Sequence, residues 1–103
     1  MSNHSLINVG ITMGDPSGVG PIVIQKGLSY LLRKDPKFFS KVCIMIFGDA
    51  CVFQKLPAFK SVPFIQCIDI KAVKEKTFSF GKIRACYGKA SVEYLTHAVE
   101  AVR

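Results

Sequence analysis

The chain reads as an α/β protein whose local signature is a βαβ unit with a mostly parallel sheet. Three observations predict the unit. Leu6 to Thr12 (LINVGIT) and Lys41 to Phe47 (KVCIMIF) are short apolar runs of strand length, and the segment between them, Pro21 to Arg33, has its apolar residues at helical spacing.

The first run is bounded by polar residues and then by glycines, so it is expected to be a buried strand opening into a loop. Ile24, Leu28, Leu31 and Leu32 define one face of the following helix, and Asp35-Pro36 closes it because a residue before proline avoids the helical region. KVCIMIF is too uniformly apolar for a half-exposed strand and belongs inside a parallel sheet. Gly48-Asp49 then places a second loop at the same sheet edge as the first, since both follow the C-terminal ends of their strands. Cys51 to Leu56 is expected to form one or two helical turns before Pro57, and Phe64 to Ile70 a third strand. The second half of Lys71 to Phe80 reads as a short strand or extended loop ending at Gly81. From Ala90 onward Val92, Leu95, Val99 and Val102 recur at three- and four-residue steps, which predicts an amphipathic helix.

The corner from Ile11 to Pro21 (ITMGDPSGVGP) is the most informative stretch. Gly14, Gly18 and Gly20 permit positive φ and close backbone approach, Asp15-Pro16 favours a turn, and Pro21 suits a first helical position, where N–H groups point outward. Such a corner can receive anionic or polar ligand groups. It is neither of the familiar phosphate motifs. Gly18-Val19-Gly20 is followed by Pro21-Ile22-Val23, which breaks G-x-G-x-x-G, and no glycine-lysine pair precedes Ser or Thr in the Walker frame. By spacing alone, a ligand-touching loop and a tight structural turn stand equal.

At 103 residues, with 50% hydrophobic and 20% charged residues, the chain has the composition of a folded domain and not of a disordered one. It contains no internal repeat or low-complexity tract, so one compact unit, or one piece of a unit, is implied. The longest apolar runs fall far short of the roughly 20 residues of a membrane span, and the N-terminus lacks the pattern of a secretory signal, so the expectation is a cytoplasmic protein without a membrane partner. Cys43, Cys51, Cys67 and Cys86 form no C-x-x-C pair and read as reduced, buried thiols, with a zinc site or disulfides as the alternative. The net charge of +7 includes a loose cluster at Lys71, Lys74, Lys76, Lys82 and Arg84. A nucleic-acid surface is one reading; a solvated face is favoured, because neither an arginine-rich run nor an RNA-binding aromatic signature accompanies the lysines.

The candidates for chemistry are few. Asp15 and Asp49 would sit on neighbouring loops and could share a cation or hydroxyls, although turn and cap roles suit both equally. Lys82 and Lys89 could reach a phosphate, or simply face solvent. His4 and His97 are too separate to make a metal site, His97 lying off the apolar stripe of the last helix. Ser17 has no identifiable base, so no catalytic residue is assigned.

ITMGDPSGVGP resembles the N-terminal signature of the 4-hydroxythreonine-4-phosphate dehydrogenase family of vitamin B6 biosynthesis. Lys41 to Ala50 (KVCIMIFGDA) resembles that family's second strand and loop, and Gly81 to Val102 (GKIRACYGKASVEYLTHAVEAV) resembles its G-K-x-x-A-x-x-G-[KR]-A-[AS]-V-E-Y helix; Cys51 to Phe80 matches only in character. The resemblance implies a partial, incomplete isocitrate/isopropylmalate dehydrogenase-like fold, in which residues 1–103 are the N-terminal portion of a larger two-domain α/β dehydrogenase with no complete domain boundary inside them, inactive alone. It further implies a homo-oligomer or a complementary chain, a small phosphorylated amino-acid substrate, NAD or NADP, and a divalent metal held by three histidines beyond the matched region. In such an enzyme the metal polarises the alcohol oxygen, the nicotinamide accepts the hydride, and the β-keto acid formed loses carbon dioxide. Carried over to this chain are Gly14, Asp15, Pro16, Gly18 and Gly20, of which Gly14, Asp15, Gly18 and Gly20 are expected near the cofactor; no metal ligand is carried over. One departure is Ile22, where the family usually has an acidic residue, which removes a favourable charge from the helix N-terminus. A non-catalytic remnant or a basic α/β binding module is the alternative.

Overall fold

The computed structural model describes residues 7–55 and 65–102. His4, Leu6, Leu56, Pro57 and Phe64, named above, lie outside the described residues. β1 (Ile7–Thr12), α1 (Gly20–Lys34), β2 (Val42–Gly48), a short α2 (Ala50–Gln54), β3 (Ile65–Asp69) and α3 (Ala85–Ala101) follow in that order. Single 3-10 turns stand at Pro36–Ser40 and Glu75–Thr77.

The strands form a three-stranded parallel sheet in the order β1-β2-β3, with Ile7 opposite Val42 and Ile44 opposite Ile65. The α/β class and the parallel sheet are therefore as expected. β2 is central and apolar on both faces. Val42, Ile44 and Ile46 are buried on one side, and Phe47 is buried on the other, beside the half-buried Cys43 and Met45. Two neighbours and two covered faces are what a continuous apolar run demands.

β1 departs from expectation. It pairs with β2 alone among the described residues and is half-exposed, with Ile7 60% accessible. A buried strand was expected, but Asn8, Gly10 and Thr12 alternate with Ile7, Val9 and Ile11, a pattern that suits a half-exposed strand.

α1 runs from Gly20 with Pro21 in its first turn, buries Leu28 and Gln25, and stops at Asp35 as the Asp-Pro pair requires. Arg33 and Lys34 in its last turn complement the helix dipole. Between Lys71 and Phe80 there is a 3-10 turn and an extended loop, and no strand. The lysines there find no partner strand, and Gly81, at φ 76°, turns the chain toward α3.

α3 begins five residues earlier than its apolar stripe suggested, and it is rotated. Tyr87, Ala90 and Tyr94 are buried against the sheet, whereas Val92, Leu95, Val99 and Val102 are 63%, 55%, 46% and 72% exposed. Two tyrosines outweigh valines in buried area, and each has a hydroxyl that finds a partner inside, so the aromatic face wins the core. Packed between sheet and helices are Met13, Phe39, Ile46, Val52, Phe53, Ala90 and Tyr94.

Candidate functional site

The parallel pairing of β1 with β2 brings the loops after both strands to one sheet edge, the C-terminal one, where ligands of open α/β sheets bind. The glycine corner is built there from its smallest parts. Gly14 leaves β1 at φ 73°, a conformation that costs other residues about 1–2 kcal/mol. Asp15, Pro16, Ser17 and Gly18 then form a β-turn closed by the Gly18 N–H donating to the Asp15 carbonyl at 3.0 Å. The Asp15 carboxylate folds back to accept the Ser17 N–H at 2.8 Å, which is why aspartate suits the turn's first place.

One methionine explains two glycines. Met13 is 1% exposed, and its N–H donates to the Phe47 carbonyl at 3.0 Å, extending the β1-β2 ladder into the corner. A Cβ on Gly20 would stand 2.3 Å from the Met13 carbonyl oxygen, and one on Gly48 would stand 2.5 Å from the Met13 Cε. Gly20 is therefore dictated by backbone approach at the start of α1, and Gly48 by the methionine tip at the end of β2. Gly18 is different: a Cβ there meets the Asp15 carbonyl at an ordinary 3.4 Å.

Ser17 fastens the corner to the approach of α3. Its buried hydroxyl donates to the Ser79 carbonyl and accepts the Lys82 N–H, each at 2.8 Å, and its own carbonyl accepts the Gly81 N–H at 2.9 Å. This serine is a structural clasp and not a nucleophile, since both roles of its Oγ are already taken. Lys82 thus joins the corner through its backbone N–H, and the residue is exposed. Lys89 is exposed on α3.

The two aspartates do not make a matched pair of carboxylates. Asp15 is exposed at the turn, while Asp49 is 1% exposed and satisfied inside the fold. Its carboxylate accepts the Ala72 N–H at 2.9 Å and the hydroxyl of Tyr94, so it joins the end of β2, the segment after β3 and the middle of α3. Burial, followed by the hydrogen bond to Asp49, pushes the Tyr94 hydroxyl well above the usual tyrosine range. Asp69 at the end of β3 accepts the Ala50 N–H at 3.2 Å and so secures the start of α2. Sequence spacing missed the Asp49–Tyr94 bond because it spans 45 residues; a tyrosine on the helix face opposite the apolar stripe was its one available trace.

His97 is exposed, and its Nδ1 lies 2.9 Å from the Glu93 carbonyl one turn earlier. Among the described residues no group of three or more His, Cys, Asp or Glu side chains is placed to hold a metal. All four cysteines are free thiols: Cys43, Cys51 and Cys67 are half-buried, and Cys86 is exposed, which corrects the expectation of buried thiols for that one. Burial, with the charges of Asp69 and Asp49 behind it, pushes the Cys67 thiol up to about 11, and burial raises Cys51 as well. No described helix is long and apolar enough to cross a membrane.

A parallel α/β sheet with a glycine corner at its C-terminal edge is the architecture of a dehydrogenase-like fold, and comparison with known proteins bears this out. A crystal structure of a 4-hydroxythreonine-4-phosphate dehydrogenase from Burkholderia phymatum superposes with a TM-score of 0.70 at 25% identity, over 92% of this chain and 32% of that one. A terephthalate 1,2-cis-dihydrodiol dehydrogenase from Burkholderia xenovorans gives 0.67 at 25% identity, over 93% and 30%. In sequence, the D-threonate 4-phosphate dehydrogenase of Cupriavidus necator is 32% identical over 108 residues, covering 92% of this chain. No protein-family model matches. The chain is thus a relative of the D-threonate and 4-hydroxythreonine 4-phosphate dehydrogenases, as the three signature stretches indicated, and it spans about a third of the length of the relatives it matches.

Proposed function

We propose that this chain is the glycine-corner segment of an NAD(P)-dependent, metal-requiring dehydrogenase acting on a 4-phosphorylated hydroxy acid of the threonate or 4-hydroxythreonine type, with decarboxylation of the oxidised product. In the second case the reaction belongs to vitamin B6 biosynthesis. The observation that carries this reading is the corner itself, held open at Gly14 and locked at Gly20 and Ser17 on the ligand-binding edge of the sheet. The names of the relatives supply the substrate class.

The residues present support a share of that chemistry and not the whole. Gly14 has nothing within 4 Å of where a side chain would start, so a ligand can approach its backbone, and the N-terminus of α1 has no side-chain cap competing for its N–H groups. A bound nicotinamide cofactor would supply the hydride acceptor. Gly14, Asp15, Gly18 and Gly20 would contribute backbone contacts and shape to its binding. The described residues do not fit a divalent metal, so its ligands would come from elsewhere in the assembled enzyme, and the segment by itself would be inactive.

Titrating NAD and NADP into the isotopically labelled chain tests the corner. Amide shifts confined to Gly14, Asp15, Gly18 and Gly20 are expected. Shifts centred instead on Lys71, Lys74, Lys76 and Arg84, with equal response to unrelated polyanions, would favour the basic binding module.

A further inference from the structure

The basic cluster between β3 and α3 is not spread evenly over the surface, because two of its members close on a cavity. From the end of β3 into the first turns of α3 the chain carries Lys71, Lys74, Lys76, Lys82, Arg84 and Lys89 against Glu75 alone. A cavity of about 230 Å³ is lined by Lys74 and Thr77 from the segment after β3 and by Arg84, Cys86 and Tyr87 from the start of α3. Glu75 does not line it, and among the described residues no carboxylate pairs with Lys74 or Arg84. Two cations without a counter-ion at one concavity call for an anion.

The walls are set before any ligand arrives. Asp49 accepts the Ala72 N–H at 2.9 Å, which ties the segment after β3 to the end of β2. The buried Tyr87 accepts the Ser79 N–H on its hydroxyl at 3.1 Å, and its ring lies against that of Phe78 with centroids 5.4 Å apart. The Arg84 guanidinium stands 5.8 Å from the centre of the Tyr87 ring, so the aromatic face holds it near the cavity. Ala72, Val73 and the Tyr87 ring give an apolar lining, beside which electrostatic attraction is stronger than in open water. Little ordering is left for binding to impose.

Size and charge select the ligand. Water takes about 30 Å³ per molecule in the liquid, so the cavity has room for roughly seven or eight waters, enough for one phosphoryl group on a short chain. It falls short of the roughly 300–1,000 Å³ of pockets that take larger organic ligands. A phosphate monoester carries about 1.5–2 negative charges at neutral pH and so matches two cations, where a lone carboxylate carries one. The planar fork of arginine suits phosphate oxygens, and lysine adds a point charge.

We infer that this cavity is a phosphate site, held by Arg84 and Lys74 and taking either inorganic phosphate or the phosphoryl group of a small monoester. The cavity shares no lining residue with the glycine corner, so losing this site leaves the dehydrogenase reading intact.

Inorganic phosphate, glycerol 3-phosphate and a short single-stranded DNA are titrated in turn into the isotopically labelled whole chain at fixed ionic strength. Saturable amide shifts are expected with the first two at Val73, Lys74, Thr77, Arg84 and Cys86. Bound phosphate should also slow alkylation of the exposed Cys86 thiol by about threefold or more. Arg84→Gln and Lys74→Gln should each weaken binding about tenfold, whereas Lys76→Gln and Lys89→Gln, at positions that do not line the cavity, should change it less than about twofold. Circular dichroism checks that all four variants fold as the parent does. Tighter binding of glycerol 3-phosphate than of inorganic phosphate identifies a monoester as the ligand, and equal or weaker binding identifies free phosphate. Equal losses in all four variants, shifts that do not saturate, or shifts centred on Gly14 and Gly18 would overturn the site. So would DNA that competes as well as phosphate does and lets go steeply as salt is added, since the cluster would then be a diffuse nucleic-acid surface.

Discussion

The hydroxyl of Tyr94, in the middle of α3, donates to the carboxylate of Asp49 at the end of β2, and both groups are almost wholly buried. Through this bond and the Asp49–Ala72 bond, one carboxylate aligns three separate pieces of chain beneath the C-terminal edge of the sheet. Hydrogen bonds to charged groups contribute about 1.5–3 kcal/mol, so Tyr94→Phe should lower the unfolding free energy by that amount in urea titrations. Asp49→Ala should cost more, because it strands the Tyr94 hydroxyl and the Ala72 N–H together.

The same pair gives the fold an alkaline limit. Tyr94 holds its proton more tightly folded than unfolded, so its stabilisation is complete below the ordinary tyrosine value of about 10 and is lost as pH rises beyond it. Cys67 acts in the same direction at lower pH: its contribution is full below the ordinary thiol value of about 8.5 and fades toward its folded value of about 11. Melting temperature should fall from about pH 8.5 upward, and in Tyr94→Phe the part of that fall above about pH 10 should shrink. A melting temperature that stays flat to pH 11 would contradict the burial assigned to both groups.

The three glycines of the corner should not respond alike. Gly20→Ala places a Cβ 2.3 Å from backbone oxygen that cannot yield, and a loss of about 1–3 kcal/mol is expected. Gly14→Ala meets no atom but must hold φ 73°, for about 1–2 kcal/mol. Gly18→Ala should stay within about 0.5 kcal/mol. Ser17→Ala unfastens the Lys82 N–H and should cost about 1–3 kcal/mol, with new exchange at Gly81 and Lys82. Denaturation curves on the four variants check the order.

Most of the sheet and α1 was legible in the sequence because local signals carry them: β2 is apolar throughout, α1 has helical spacing and an Asp-Pro stop, and D-P-S-G is a turn in its residue types alone. The orientation of α3 was not. Periodicity reports that a helix has an apolar side, but which side is buried depends on partners, and here Tyr87 and Tyr94 reach Ser79 and Asp49 across the fold. The clasp at Ser17 was hidden for the same reason, since its partners lie more than 60 residues away. Gly48 looked like a loop residue because nothing in its neighbourhood along the chain announces the tip of Met13.

The rotation of α3 has its own test. Leu95→Gln, on the exposed stripe, should change stability by no more than about 0.5 kcal/mol, whereas Ala90→Leu, at a position with no accessible surface, should cost about 1–3 kcal/mol. The reverse order would mean that the stripe and not the tyrosine face lies against the sheet.

Thiol labelling probes the same surfaces. Cys86 is exposed, while Cys51 and Cys67 are half-buried with thiols raised by burial, so iodoacetamide at pH 8 should modify Cys86 first, as read by mass spectrometry. Early modification of Cys67 would contradict its packing against β2.

The proposed function assigns this chain the glycine corner of a dehydrogenase and places the reacting groups mostly outside it. Nicotinamide reduction with D-threonate 4-phosphate and with 4-hydroxythreonine 4-phosphate, in the presence of a divalent metal, measures that directly. Turnover is expected from the chain joined to the rest of the Cupriavidus necator enzyme, lowered about tenfold or more by Gly20→Ala, and none from the chain alone. Turnover by the chain alone, or a joined protein that folds and reduces no cofactor with either substrate, would contradict it.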